Sequence, residues 1–225
     1  MKTIIISLGG SIIVPDSINT GFLTRFRNLV NELIMKDLRF VIITGGGNTA
    51  RKYQEAAKGM IRLTGRDLDW LGIHCTRLNA QLVKSLFKGY TSESIIKNPE
   101  KMVSTKKNIV IGAGWKPGFS TDYIAVRIAK NLGTNTIINL SNIKYVYDRD
   151  PKKYPDAKKI ERISWKDFRN IVGDRWDPGL HLPFDPIAAK EGEKLNLKVA
   201  IIEGRDIDNL RNFIEGKEFE GTLIE

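Results

Sequence analysis

Three short segments carry the residue types that could grip an anion: Gly9-Gly10-Ser11, Gly45-Gly46-Gly47-Asn48 and Gly112-Ala113-Gly114. Glycine lets the backbone approach a phosphate and turn N–H groups toward it. A helix that begins just after such a turn adds the positive end of its dipole. One such turn reads equally well as a tight corner with no ligand. Three of them point to an anion site if they share an edge. Neither G-x-x-x-x-G-K-[ST] nor G-x-G-x-x-G occurs, so a P-loop enzyme and a dinucleotide site are disfavoured. His74 and His181 are the only histidines, and no ligand-spaced cluster surrounds them, so no transition-metal site is expected.

The elements that must position these turns follow from periodicity. Apolar β-branched runs predict strands over Thr3–Leu8, Arg39–Thr44, Asn108–Ile111, Asn135–Leu140 and Lys198–Ile202. Helical spacing predicts helices over Leu23–Met35, Thr49–Ala57, Asp69–Phe87, Ser120–Ala129 and Asp206–Ile214. Strand, glycine turn and helix in repetition predict an α/β fold, a three-layer α/β/α sandwich with a mostly parallel central sheet. Ligands bind beyond the carboxyl ends of such strands, which puts the three turns on one edge. Gly133-Thr134 is the natural division between an N-terminal lobe, residues 1–133, and a C-terminal lobe, residues 134–225.

The 225 residues carry a formal charge of +10. A basic surface attracts nucleic acid or nucleotide phosphates. Lys and Arg are dispersed, with no long basic arm, and this disfavours nucleic acid. No run approaches the roughly 20 apolar residues of a membrane span. The first residues are too short for a signal peptide before the glycine turn. The single cysteine, Cys75, excludes an intrachain disulfide, and a cytoplasmic protein is expected.

Longer blocks make a family resemblance specific. Ser7–Ser11 and Gly45–Tyr53 resemble the two phosphate loops of archaeal-type uridylate (UMP) kinases of the amino-acid-kinase family. Leu68–Ile73 with Thr76–Ala80 resembles their acceptor helix. Gly114–Asp122 resembles their uridylate loop, and Ser141-Asn142 with Val146–Lys153 their ATP hairpin. Asp185–Lys190 resembles the late D-P-x-A-x-K segment. The blocks run in family order from residue 4 to about 190.

The resemblance implies a kinase that moves the γ-phosphoryl group of ATP, with Mg²⁺, onto UMP in pyrimidine nucleotide biosynthesis. It implies a homo-oligomer, usually a hexamer. Gly10, Ser11 and Gly47 would cradle the ATP phosphates, Gly46 would approach the UMP phosphate, and Arg51 would reach the phosphates from the following helix. Asp69 would hold the UMP ribose, although it also reads as a helix N-cap. Trp115, Lys116, Pro117, Gly118, Phe119, Ser120 and Thr121 would wrap the nucleotide, the two hydroxyls also suiting an N-cap. Ser141, Tyr147 and Asp150 would hold the adenosine.

Two positions depart from the family pattern. Ser7 stands where many amino-acid kinases carry a lysine. Lys144 stands where N-V-D-G-V-Y places a carboxylate, a local change of two charges. Lys144 is therefore expected either to clamp the phosphates itself, with Lys190 a second candidate, or to mark a catalytically weak nucleotide sensor or anion-storage protein. Kinases of the same fold for other small acids are a further rival. Trp176–Gly179 reads as a lid over ATP or as a surface loop.

Overall fold

The structure, a computed structural model, describes residues 2–101, 105–175 and 182–225. The expected lid at Trp176–Gly179 and His181 lie outside these residues.

The chain opens with β1 (Lys2–Leu8), a four-residue helix α1 (Gly10–Ile13) and α2 (Thr20–Ile34). Then come β2 (Leu38–Thr44), α3 (Gly47–Met60), α4 (Gly65–Leu86), β3 (Ile109–Gly112) and α5 (Thr121–Leu132). The second part holds β4 (Thr136–Ser141), β5 (Val146–Tyr147), β6 (Lys159–Ile160), β7 (Arg162–Ile163) and α6 (Trp165–Val172). It ends with α7 (Pro186–Lys194), β8 (Lys198–Glu203), α8 (Ile207–Ile214) and β9 (Thr222–Ile224).

Seven strands form one sheet in the order β3-β2-β1-β4-β8-β9-β7. The first five are mutually parallel, and β9 runs antiparallel to β8. Register brings the strand ends level, with Leu8 opposite Thr44 and Leu140. β5 and β6 form a separate antiparallel pair. Alternation along β1 sends Ile4, Ile6 and Leu8 into one core with residues of α1, α2, α4 and α8. Ile5 enters the opposite core, with α5, α6 and α7. Both faces of the sheet are covered, so its strands read as continuous apolar runs. The three-layer α/β/α expectation matches the structure.

Several boundaries and elements differ from the sequence reading. α4 starts at Gly65, not Asp69, because Thr64 and Asp67 form a reciprocal capping box. Asp69 is thus not an N-cap and projects from the helix body. α3 starts at the glycine itself, Gly47, and buries only Ala50. α1, α6, α7 and the short strands β5, β6, β7 and β9 have no counterpart in the periodicity. Each is too short to show a full repeat, or is fixed by distant pairing.

Candidate active site

The turns after β1 and β2 meet backbone to backbone. Gly47 has φ +65°, a left-handed conformation, and a Cβ on it would overlap the carbonyl of Gly10. A Cβ on Gly10 would in turn overlap the backbone nitrogen of Gly47. Only glycine at both positions permits this approach. The turns are pinned to the sheet, as Gly9 N–H donates to Leu140 O and Gly45 N–H to Leu8 O, each at 2.9 Å. α3 begins at the contact with no side-chain cap; Asn48 N–H donates to Val14 O at 2.9 Å, and the positive end of the helix still favours an anion there. Asn79, buried on α4, donates to Gly45 O at 2.8 Å and Gly46 O at 3.1 Å and holds the second turn from beneath.

A cavity of about 300 Å³ opens over these turns at the carboxyl ends of β1, β2 and β4. Gly10, Ser11, Gly46, Ser120, Thr121 and Ser141 all line it. Arg51 flanks it one turn into α3. Its Nε donates to Asn48 Oδ1 at 3.3 Å and its Nη1 to Ser11 Oγ at 3.4 Å, which bridges the two glycine turns.

The loop before α5 reaches the cavity at its end, through Ser120, followed by Thr121 and Asp122 of α5; residues 115–119 and Asp69 do not line it. Gly118 N–H donates to Asp69 Oδ2 at 2.7 Å. Arg77 fixes the start of the loop by donating to Gly114 O and Trp115 O. Trp115 and Phe119 pack at a tilt of 37° with ring centroids 5.2 Å apart, and the Phe119 and Tyr123 ring centroids lie 4.7 Å apart. The Lys116 ammonium sits 4.1 Å from the Trp115 ring centre, a cation–π contact. Pro117 lies between these residues and is half-buried. Ser120 does two jobs, since its Oγ accepts from Tyr123 N at 3.1 Å as the α5 N-cap while the residue lines the cavity.

Two carboxylates complete the cavity, and neither was among the residues singled out from sequence. Asp122 Oδ1 accepts from Ser7 Oγ at 2.9 Å, and its Oδ2 accepts from Asp185 N–H at 3.3 Å. Burial, then the nearby Asp185 charge, pushes the Asp122 carboxyl up to about 7. Asp185 caps α7 through Ala188 N–H at 2.6 Å, and burial pushes its carboxyl up as well. Both stood inside motif blocks, Gly114–Asp122 and Asp185–Lys190. The available signal was Asp122 beside the predicted start of the 120–129 helix and Asp185 at the head of the D-P-x-A-x-K block.

Other expected site residues stand apart from the cavity. Tyr147 sits half-buried in β5, and Asp150 is exposed, its Oδ1 accepting from Lys152 N–H at 3.0 Å in the hairpin turn. Neither lines the cavity. Neither Lys144 nor Lys190 lines the cavity. Lys144 Nζ is paired with Glu220 at 2.6 Å and lies near the Tyr145 ring, drawn outward by that carboxylate. Lys190 is exposed on α7 and does not line the cavity. Among the described residues no cluster of three or more His, Cys, Asp or Glu could hold a metal. No described helix is long and apolar enough to cross a membrane.

Glycine turns on one edge of a parallel sheet, an arginine across them and a separately held aromatic loop define an α/β protein built to receive an anion without a P-loop. The chain matches the amino acid kinase family model over residues 2–203 and belongs to that family. It is 34% identical to the uridylate kinase of Thermoplasma volcanium, over 100% of this chain and 98% of the relative. It is 33% identical to that of Pyrococcus abyssi, over 99% of each. The crystal structure of uridylate kinase from Archaeoglobus fulgidus superimposes with TM-score 0.82 at 27% identity, covering 100% of both chains. UMP kinase from Bacillus anthracis shares the fold, with TM-score 0.77 at 21% identity over 100% of this chain and 96% of that one.

Proposed function

We propose that the protein is a UMP kinase that transfers the γ-phosphoryl group of ATP to UMP, giving UDP and ADP. The observation that carries this reading is the meeting of Gly10, Gly47 and Arg51 opposite the loop that Asp69 holds at Gly118. Full-length similarity to proteins named uridylate kinase supports it. In this reading residues 1–133 receive UMP and residues 134–225 receive ATP, with Ser141 at the adenosine side of the cavity. The protein acts in the cytoplasm as a homo-oligomer, in the hexameric form that the resemblance implies.

The chemistry asked of the chain is modest. An ionised oxygen of the UMP phosphate attacks the γ-phosphorus, the bond to the β–γ bridging oxygen breaks, and ADP leaves with that electron pair. No general base is needed, because the attacking oxygen is already ionised near neutral pH. The glycine-turn N–H groups and Arg51 orient the phosphates and offset developing charge. Asp69 and the 115–121 loop hold the acceptor in line. Mg²⁺, bound with ATP, would neutralise phosphate charge. The oxygen donors Asp122 and Asp185 on the cavity wall suit such a hard cation.

The test is an ADP-release assay with ATP and Mg²⁺ against UMP, CMP, dUMP, AMP and GMP. Selective turnover of UMP is the expected result. Calorimetric binding of UMP and ATP with no transfer would replace the enzyme with a nucleotide sensor.

A further inference from the structure

Among the described residues that line the cavity, none is Lys or Arg. Arg51 flanks it, engaged with Ser11 and Asn48. An anion inside must therefore be met largely by backbone N–H groups, and the direction in which they point decides how well it binds. At the second turn three glycines follow one another, Gly45-Gly46-Gly47. Glycine backbone rotates freely, so these peptide units would turn over easily unless something held them.

One buried side chain holds them. Asn79, on α4, is 3% exposed. Its Nδ2 donates to two successive carbonyls, Gly45 O at 2.8 Å and Gly46 O at 3.1 Å. Both neighbours are acceptors, so the amide nitrogen is the atom that must face them. Without Asn79, Gly46 O keeps only the 3.4 Å bond from Ala50 N–H. In a trans peptide the C=O and the following N–H point in opposite directions, and the described residues contain no cis bond. Drawing these two carbonyls onto α4 therefore turns the N–H groups of Gly46 and Gly47 away from α4. Neither N–H donates to a described backbone acceptor. The strand end before the turn is tied to the same helix, where Thr44 Oγ1 donates to Thr76 O at 2.9 Å.

We propose that Asn79 is a positioning residue for a phosphate site. It locks the Gly45–Gly47 peptides in the orientation that presents two N–H groups to phosphate oxygens. That the phosphate belongs to a nucleotide, and that transfer follows, rests on the kinase reading.

A matched control lies elsewhere in the chain. Asn209 on α8 is buried and clasps Glu220, its Nδ2 donating to Glu220 O at 2.6 Å and its Oδ1 accepting from Glu220 N–H at 2.8 Å. It does not line the cavity. Leucine at either position keeps the approximate volume and removes the amide. The full-length Asn79→Leu and Asn209→Leu variants are titrated calorimetrically with inorganic tripolyphosphate, and chemical denaturation measures their stability. Both should lose stability. Only Asn79→Leu should lose tripolyphosphate affinity, by about 10-fold or more, the worth of a hydrogen bond to a charged group. Unchanged affinity in Asn79→Leu overturns the proposal, as does equal weakening in both variants. No binding by the wild type at millimolar tripolyphosphate overturns it too. If leucine at 79 prevents folding, Asn79→Ser is read by the same outcomes, its short side chain carrying one donor in place of two. UMP phosphorylation is scored separately. Anion binding that depends on Asn79 without any transfer removes only the kinase, and transfer with anion binding indifferent to Asn79 removes only this inference.

Discussion

Asp69 on α4 accepts a 2.7 Å hydrogen bond from the backbone of Gly118, across 49 residues of sequence. One carboxylate oxygen ties down the 115–121 loop, and the other remains for a ligand. The bond makes Asp69 a positioning residue for the 115–121 loop, which the proposed reading makes the acceptor side.

Asp69→Ala should therefore raise KM for UMP by about 10- to 100-fold, the worth of a charge-assisted hydrogen bond. KM for ATP should change little. Steady-state kinetics with each substrate varied checks this, and an equal rise in both constants would count against an acceptor-side role.

The contact of Gly10 with Gly47 gives a stability test with an internal control. Gly47→Ala meets both a left-handed φ and the Gly10 carbonyl, so it should destabilise the fold by at least about 1–2 kcal/mol. Gly59, also in α3, faces open space, and Gly59→Ala should instead stabilise by up to about 1 kcal/mol. Chemical denaturation of the two variants compares them directly.

Lys144 and Arg51 are two candidate phosphate contacts that kinetics can separate. Lys144→Ala removes a surface ion pair with Glu220 and should leave kcat/KM within about threefold. Arg51→Ala should lower it by about 10- to 100-fold through lost charge-assisted bonds to phosphate. Comparable losses in both variants would return Lys144 to the catalytic machinery.

Glu32 provides a pH-dependent prediction away from the site. Its bond to Arg211, then that to Lys36, holds its carboxyl down from 4.5 to about 2. A depressed carboxyl stabilises the fold above its unfolded value and loses that contribution as pH falls through the folded one. Thermal melts of Glu32→Gln should thus lie below the wild type at pH 7, with the gap closing between about pH 4.5 and 2. The pair is exposed, so the gap should be small and should shrink in high salt.

Local pattern was enough to place β1, β2, β3, β4 and β8 and the helices α2, α3, α4, α5 and α8. Their apolar spacing repeats within a single element, and glycine marks the turns after β1, β2 and β3. The parallel sheet and the shared edge followed from strand-turn-helix repetition alone. Gly10, Ser11 and Gly46 were legible as cavity residues from their glycine turns, and Ser120, Thr121 and Ser141 only through the resemblance to the family's blocks. Tertiary structure decided the rest. Asp122 faces Ser7 across 115 residues and Asp185 across 63, a meeting that depends on β1 lying beside β4 in the strand order. Asn79 reaches the second glycine turn from the middle of α4. Lys144 turns to Glu220 because the chain returns there near its end. Periodicity reports which face of an element is buried; it does not report which distant element covers that face, and charged side chains take their partners from that choice.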